Sequence, residues 1–89
     1  MPAERSPEHV AFGQAVRKLR LEQGLSQEEL GYASGLHRNY IGGVERGELN
    51  ASLASINKLA AGLSIKPSEL LATAEREQTA GRRKTRSRR

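Results

Sequence analysis

Apolar residues recur at helical spacing along most of the chain, and glycines separate the groups. The first group falls at positions i, i+3, i+4 and i+7, which is one face of an α-helix. Its members are Phe12, Ala15, Val16 and Leu19. Gly24 follows them, and glycine is common just past a helix C-terminus. The pattern predicts a first helix from about Glu8 to Gln23.

Two short helices are predicted next, joined by a glycine turn. Ser26 and Glu29 have the spacing of a capping box, in which each side chain bonds the other residue's backbone N–H. The helix that they open runs to about Ser34, and Gly35 breaks the pattern. A third helix is expected from about His37 to Arg46, with Gly47 after it.

The last two helices are predicted from a cap and a proline. Ser52 is a suitable N-cap for a fourth helix, and Pro67 suits the first turn of a fifth. The apolar pattern of the fifth helix fades near Glu75. Residues 1–7 are expected to form a flexible arm, residues 8–75 the folded domain, and residues 76–89 a basic, disordered tail. With no strand signal, the fold class is all-α, a compact bundle of five short helices.

The positive charge is concentrated at the C-terminus. The 89 residues carry a net charge of +5, from 15 basic and 10 acidic residues. Six of the basic residues are Arg82, Arg83, Lys84, Arg86, Arg88 and Arg89. Residues 1–81 then have nine basic and ten acidic side chains, a net of −1. A DNA-binding function would therefore need a local patch on the folded part, aided by the tail.

Composition leaves little material for catalysis or metal binding. The chain has no cysteine and only two histidines, His9 and His37. No nucleophile and base, and no group of metal ligands, can be recognised, so we expect no enzyme activity, no cofactor and no metal. No apolar run approaches the roughly 18 residues that span a membrane, and we expect a cytoplasmic, nucleoid-associated protein.

The segment from Gln27 to Gly47 has the dimensions of a helix-turn-helix. Spacing alone is weak evidence, because any small helical bundle has short helices separated by glycines. The residue types are more specific: LSQEEL at 25–30, SGL at 34–36, YI at 40–41, VERG at 44–47 and NASL at 50–53. These residues resemble the Xre family of phage-repressor and Cro-like DNA-binding domains, from about Phe12 to Leu71. The resemblance implies a lambda-repressor-like fold with helices 2 and 3 as the helix-turn-helix.

The resemblance places the third helix in the major groove of DNA. It implies that Gln27 bonds a phosphate and braces this helix, and that His37, Arg38 and Asn39 meet base edges. The residue types fit, since arginine pairs with guanine and asparagine with adenine. Each could instead be a solvent-facing polar residue, and His37 could simply cap the helix.

Four further positions match the DNA-facing side of the family. Tyr40 could reach the DNA backbone or pack as an aromatic wedge between helices. Gly43 matches a position that usually carries a base-reading side chain, so readout there is lost or the backbone approaches the DNA. Arg46 and Asn50 flank the helix where phosphates should pass, and both could equally be free surface residues.

Two structural roles also follow from the resemblance. Arg20 and Glu45 match a partly buried ion pair between the first helix and the end of the third. The last helices of the family often form a two-fold contact, which implies a homodimer. The candidate dimer contacts are Leu63, Ile65, Leu70 and Leu71. These four residues could all be core residues of a single chain, and some of them must be.

The leading hypothesis is a homodimeric regulator that binds an inverted-repeat operator in double-stranded DNA. Phage repressors and the controller proteins of restriction-modification systems are of this kind. An alternative is the antitoxin of a toxin-antitoxin pair, which would also bind a protein toxin. A third is a non-specific nucleic-acid or scaffold protein that acts through its tail.

Overall fold

The structure, a computed structural model, describes residues 6–86, with side chains for residues 6–80. It contains five helices and no strand within that range. They are α1 (Pro7–Glu22), α2 (Gln27–Ser34), α3 (Arg38–Glu45), α4 (Leu53–Gly62) and α5 (Pro67–Arg86). The predicted all-α class and the five helices are confirmed.

Serine residues are the N-caps of α1, α2 and α4. Ser26 Oγ accepts the N–H of Glu29 at 2.9 Å, and Glu29 Oε1 accepts the N–H of Ser26 at 2.8 Å. The predicted capping box is therefore present. Ser52 Oγ accepts the N–H of Ser55 at 3.1 Å, as its predicted capping role requires. Because each cap satisfies backbone donors that have no partner inside the helix, the starts are fixed locally.

The turn between α2 and α3 depends on Gly35. Its φ of 76° lies in the left-handed region that favours glycine. Its N–H donates to the carbonyl of Gly31 at 2.8 Å, and the N–H of Leu36 donates to the same carbonyl at 3.1 Å. This arrangement closes α2 and turns the chain within a few residues, so that α2 and α3 pack together.

The core collects apolar side chains from all five helices. Its buried members are Phe12, Ala15, Val16, Leu30, Ile41, Val44, Leu59, Ala60, Leu63 and Leu70. Leu63 and Leu70 have no exposed surface in this chain. A side chain that is fully buried in its own core has nothing to offer a second copy. The prediction that these two leucines contact a dimer partner is corrected accordingly.

The fifth helix is longer than its apolar pattern predicts. It continues through Arg86, past the predicted end near Glu75, so residues 76–86, expected to be disordered, are helical. Residues 74–80 are mostly good helix formers (AEREQTA). α5 also packs along α1, where Lys18 Nζ lies 3.6 Å from Glu77 Oε2. Residues 1–5 of the predicted arm and residues 87–89 of the predicted tail lie outside the described residues.

Membrane spans and metal sites are both absent from the same range of residues. No helix there is both long enough and apolar enough to cross a membrane. No cluster of three or more histidine or acidic side chains within residues 6–86 could hold a metal ion.

Candidate nucleic-acid interface

The first turn of α3 presents polar side chains to solvent. His37, Arg38 and Asn39 are all exposed, whereas Ile41 and Val44 on the opposite face are buried. The helix is amphipathic for this reason, and its inner face is anchored in the core. The structure thus brings the three predicted base-reading residues together on one accessible surface.

His37 is the N-cap of α3. Its Nδ1 accepts the N–H of Asn39 at 3.0 Å. Capping was the alternative to base contact for this residue, and the geometry shows the cap. The opposite ring nitrogen, Nε2, is left to make any contact with a ligand.

Arg38 is held only loosely. Its Nη1 lies 3.6 Å from Glu28 Oε2, and the two side chains are 60% and 58% exposed. A solvated pair of this kind contributes little to stability because water and salt screen it. The guanidinium is therefore free to exchange Glu28 for another acceptor.

The other end of α3 is fixed by a buried ion pair. Arg20 Nε donates to Glu45 Oε2 at 2.7 Å and Arg20 Nη2 donates to Glu45 Oε1 at 3.0 Å. Arg20 Nη1 also donates to the carbonyl of Leu25 at 2.8 Å. The two side chains of the pair are only 7% and 3% exposed. The pairing predicted between α1 and the end of α3 is seen in this geometry.

Hydrogen bonding to Glu45 favours the charged form of Arg20. The bond, aided by the attraction of the carboxylate charge, raises the pKa of the guanidinium, although burial acts in the opposite direction. Arginine is charged across the physiological range of pH in any case, so Glu45 faces a permanent positive charge. The bidentate geometry also fixes the angle between α1 and α3.

Gln27 joins this network from the start of α2. Its Nε2 donates to Glu45 Oε1 at 3.0 Å, and the side chain is partly exposed. Glu45 thus accepts hydrogen bonds from α1 and α2 at once. Gln27 braces the end of α3 in the manner expected of it.

Backbone contact reinforces the same end. Gly13 of α1 is buried against the carbonyl oxygens of Val44 and Glu45. A Cβ at position 13 would overlap the Val44 oxygen and lie 2.8 Å from that of Glu45. Since the backbone of α3 cannot move aside cheaply, only glycine allows α1 to approach so closely.

Gly43 does not face the solvent, which bears on the suggestion that its backbone approaches the DNA. The residue is buried, because the side chain of Leu49 lies over it. A Cβ at position 43 would lie 2.6 Å from Leu49 Cδ1. The backbone at Gly43 is thus already covered and cannot itself approach DNA closely without moving Leu49.

The remaining candidate positions divide into core and surface. Tyr40 is partly buried and packs against the core, which is the wedge role considered for it. Arg46 is exposed, with its Nε 3.1 Å from Glu48 Oε1. Asn50 is exposed in the loop before α4. Of the two remaining dimer candidates, Ile65 is partly buried against the core and Leu71 is 43% exposed.

Sequence reasoning overlooked two kinds of residue. Tyr32 is a large aromatic side chain that is 83% exposed. Tyr32 follows the buried Leu30 by two positions, so helical geometry alone puts it on the outer face of α2. Glu28 and Leu49 were also overlooked. Their contacts join different elements, and no local pattern indicates them.

Comparison with known families finds one that covers most of this architecture. The model of a family described as Helix-turn-helix (HTH_3) matches residues 16–70, which include α2, α3 and α4. The match therefore contains both helices of the motif and most of the core around it.

Several curated relatives are controllers. "Control protein C.BamHI" of Bacillus amyloliquefaciens is 46% identical over 61 residues, covering 67% of this chain and 75% of that protein. "Control protein C.MunI" of Mycoplasma sp is 41% identical over 69 residues, covering 76% of this chain and 93% of that protein. The likeness to both therefore extends well beyond the helix-turn-helix itself.

Solved structures give the same result. The restriction-modification controller protein C.AhdI from Aeromonas hydrophila has a TM-score of 0.71 and 55% identity, covering 73% of this chain and 98% of that one. The restriction-modification controller protein C.Esp1396I has a TM-score of 0.75 and 32% identity, covering 81% and 94%. Most of this fold is thus shared with proteins of similar sequence.

Proposed function

The chain belongs to the Xre and Cro-like helix-turn-helix family of DNA-binding transcriptional regulators, and we propose that it acts as a homodimer on an inverted-repeat operator. The observation that carries the DNA-binding part of this proposal is the contrast within α3. Arg38 and Asn39 are exposed at its start, while its end is locked by Arg20 and Gln27 through Glu45. A helix whose backbone is held in this way can present exposed side chains to a groove from a defined position.

Each exposed residue has a chemical role in this proposal. In the major groove, the Arg38 guanidinium would donate two hydrogen bonds to guanine, and the Asn39 amide would pair with adenine. Gln27 and the N-terminus of α2 would bond a phosphate, and Arg46 and Asn50 would contact phosphates on the other side. Contacts of the last kind orient the protein without reading sequence. His37 and Tyr40 are the weaker candidates, because both side chains already have structural roles.

The regulated genes are inferred from the relatives. Two matched structures are of restriction-modification controllers, and two matched curated proteins are named control proteins. We infer that this chain controls genes of such a system, bound to DNA in the cytoplasm. None of these four names refers to a toxin partner, and the antitoxin alternative gains no support from them.

In-vitro selection from random duplexes tests the proposal. A two-fold dimer should select an inverted repeat with half-sites about 34 Å apart, one turn of DNA. Sedimentation should find two chains on each minimal site. We propose that Leu71 and Ile65 lie at the contact between the two chains. An asymmetric selected sequence bound by one chain would contradict the dimer. Failure to enrich any common sequence would contradict specific binding altogether.

The basic C-terminus is proposed to add phosphate contacts. Residues 82–89 contain six basic side chains, whereas residues 1–81 have a net charge of −1. For each phosphate that is no longer neutralised, the slope of log binding constant against log salt concentration should flatten by about 0.9. A chain that ends at Gly81 should bind more weakly, with a flatter slope and the same preferred sequence. A matched chain with all six basic residues replaced by glutamine separates charge from length, and equal slopes in all three chains would show that the tail is idle.

A further inference from the structure

The glycine pair of α3 carries a specific arrangement of neighbouring side chains. Gly42 and Gly43 lie four residues after Arg38 and Asn39, so they continue the same faces of the helix by one turn. A reading surface that starts at Arg38 and Asn39 thus runs onto two positions that have no side chain of their own. Two glycines in a helix interior are also costly for helix stability.

Three side chains from outside the helix line the space that the glycines leave, Arg46 and Gln27 beside Gly42 and Leu49 beside Gly43. A Cβ at Gly42 would lie 3.1 Å from Arg46 Nη1, and one at Gly43 would lie 2.6 Å from Leu49 Cδ1 and 2.9 Å from its Cγ. Arg46 is steadied by Glu48 through its Nε. Leu49 is therefore seated directly on the backbone of α3, where a side chain at position 43 would otherwise stand.

Leu49 is seated but not buried. It remains 37% exposed. On one side it lines a groove with Phe12, Ile56 and Leu71, while its chain neighbours Glu48 and Asn50 are exposed polar residues. The leucine side chain has no hydrogen-bonding group, so its contact with a phosphate or with the polar edge of a base would form no hydrogen bond. The one apolar group that DNA displays in the major groove is the 5-methyl group of thymine.

We propose that Leu49, held on α3 by Gly43, is a specificity-determining residue that contacts a thymine methyl group in the operator. This inference rests on the proposed function and extends it to one more base pair. The role missing at position 43 is thereby transferred to a residue outside the helix. Gly43 is then a positioning residue, because the absence of a side chain at position 43 leaves the space that Leu49 occupies.

Uracil substitution tests the contact, because uracil differs from thymine only by the methyl group. The probe is the selected operator duplex with each thymine replaced in turn by uracil. Removing one buried methyl group corresponds to roughly a fourfold decrease in affinity. The wild-type chain should show this decrease at one thymine of each half-site. Leu49→Ala should bind the thymine and uracil duplexes equally at that position.

Two matched variants show whether the position of Leu49 over Gly43 matters. Leu53→Ala removes a leucine that is more exposed than Leu49, and it should keep the uracil effect. Gly43→Ala improves helix propensity but displaces Leu49, so it should abolish the uracil effect even though Leu49 is present. In the double variant Gly43→Ala/Leu49→Ala the collision is gone, and its affinities should match those of Leu49→Ala.

The outcomes separate this inference from the function on which it rests. If a common sequence is selected but the uracil effect is the same in the wild type and Leu49→Ala, the inference is overturned and the proposed function stands. The inference is also overturned if Leu49→Ala dissociates the dimer while leaving the uracil effect in place, since Leu49 would then be an interface residue. If no sequence is selected by the wild-type chain, the proposed function itself is wrong.

Discussion

The two ends of α3 differ in how they are held, although Arg38 and Glu45 are only seven positions apart. At the C-terminal end, Glu45 is buried and accepts hydrogen bonds from Arg20 and Gln27. At the N-terminal end, Arg38 has one exposed ion pair with Glu28, and its neighbours lie in solvent. One end is fixed by contacts within the protein, and the other is left open.

This difference has a physical reason. A buried charge must be paired and hydrogen-bonded, or it costs several kcal/mol, so the network at Glu45 tolerates little variation. Side chains that bind DNA need the opposite condition, because a group already satisfied by the protein gains little from a base. Fixing one end of the helix allows the other end to carry exposed donors at a defined place. The following predictions test that division.

The largest effect is expected at Glu45. Glu45→Ala leaves the buried Arg20 charge without its partner, and the free energy of unfolding should fall by about 3–5 kcal/mol. Chemical denaturation followed by circular dichroism measures this. Glu22→Ala, at an exposed position near the end of α1, is the matched control and should change little. A fall at Glu45 no larger than the control's would show that the network is not what fixes this end.

Gly13→Ala is expected to cause the next largest fall in the free energy of unfolding. A methyl group here overlaps the backbone oxygen of Val44, so α1 must move away from α3, at a cost of about 1–3 kcal/mol. Gln14→Ala, on the exposed side of the same helix, should be neutral or slightly stabilising. An unchanged melting temperature for Gly13→Ala would mean that the two helices separate without cost.

The cap at the open end should contribute less. His37→Ala removes the acceptor for the N–H of Asn39, and removal of an N-cap costs about 1 kcal/mol. Because asparagine is a good N-cap, His37→Asn should recover most of that stability. If alanine and asparagine are equally destabilising at this position, the ring contributes through something other than its cap.

The smallest effect is expected for the exposed ion pair. Glu28→Gln should change stability by less than about 1 kcal/mol, and the difference should shrink as salt is added. DNA affinity should rise slightly, since Arg38 loses a competing acceptor and the phosphates lose a repelling charge. Weaker DNA binding by this variant would indicate that Glu28 positions Arg38 for its base.

Local chemistry explains what the sequence could predict. The helix starts follow from Ser26 and Ser52, whose caps need only the next three residues, and the turn follows from Gly35. These features depend on neighbours in the chain, so a linear pattern is enough to find them. The exposed face of α3 is predictable for the same reason, from the apolar spacing of Ile41 and Val44.

Contacts between distant segments explain what it could not. The Arg20–Glu45 pair spans 25 residues and came only from the family resemblance. Nothing in the sequence near Gly43 shows that Leu49 covers it, since the loop conformation decides that contact. The extension of α5 was overlooked because apolar spacing does not indicate it. Residues after Glu75 are helical through propensity and contact with α1 instead.

Selection of DNA by the wild type and by Arg38→Ala, in parallel, tests the central claim most directly. Thermal denaturation of the variant should match the wild type, because the side chain is 60% exposed. We expect preference at one base pair of each half-site to relax, at a cost of about 1–3 kcal/mol there, while the other positions remain. An identical selected sequence for both chains would contradict this claim, because the open end of α3 would then not be the part that reads DNA.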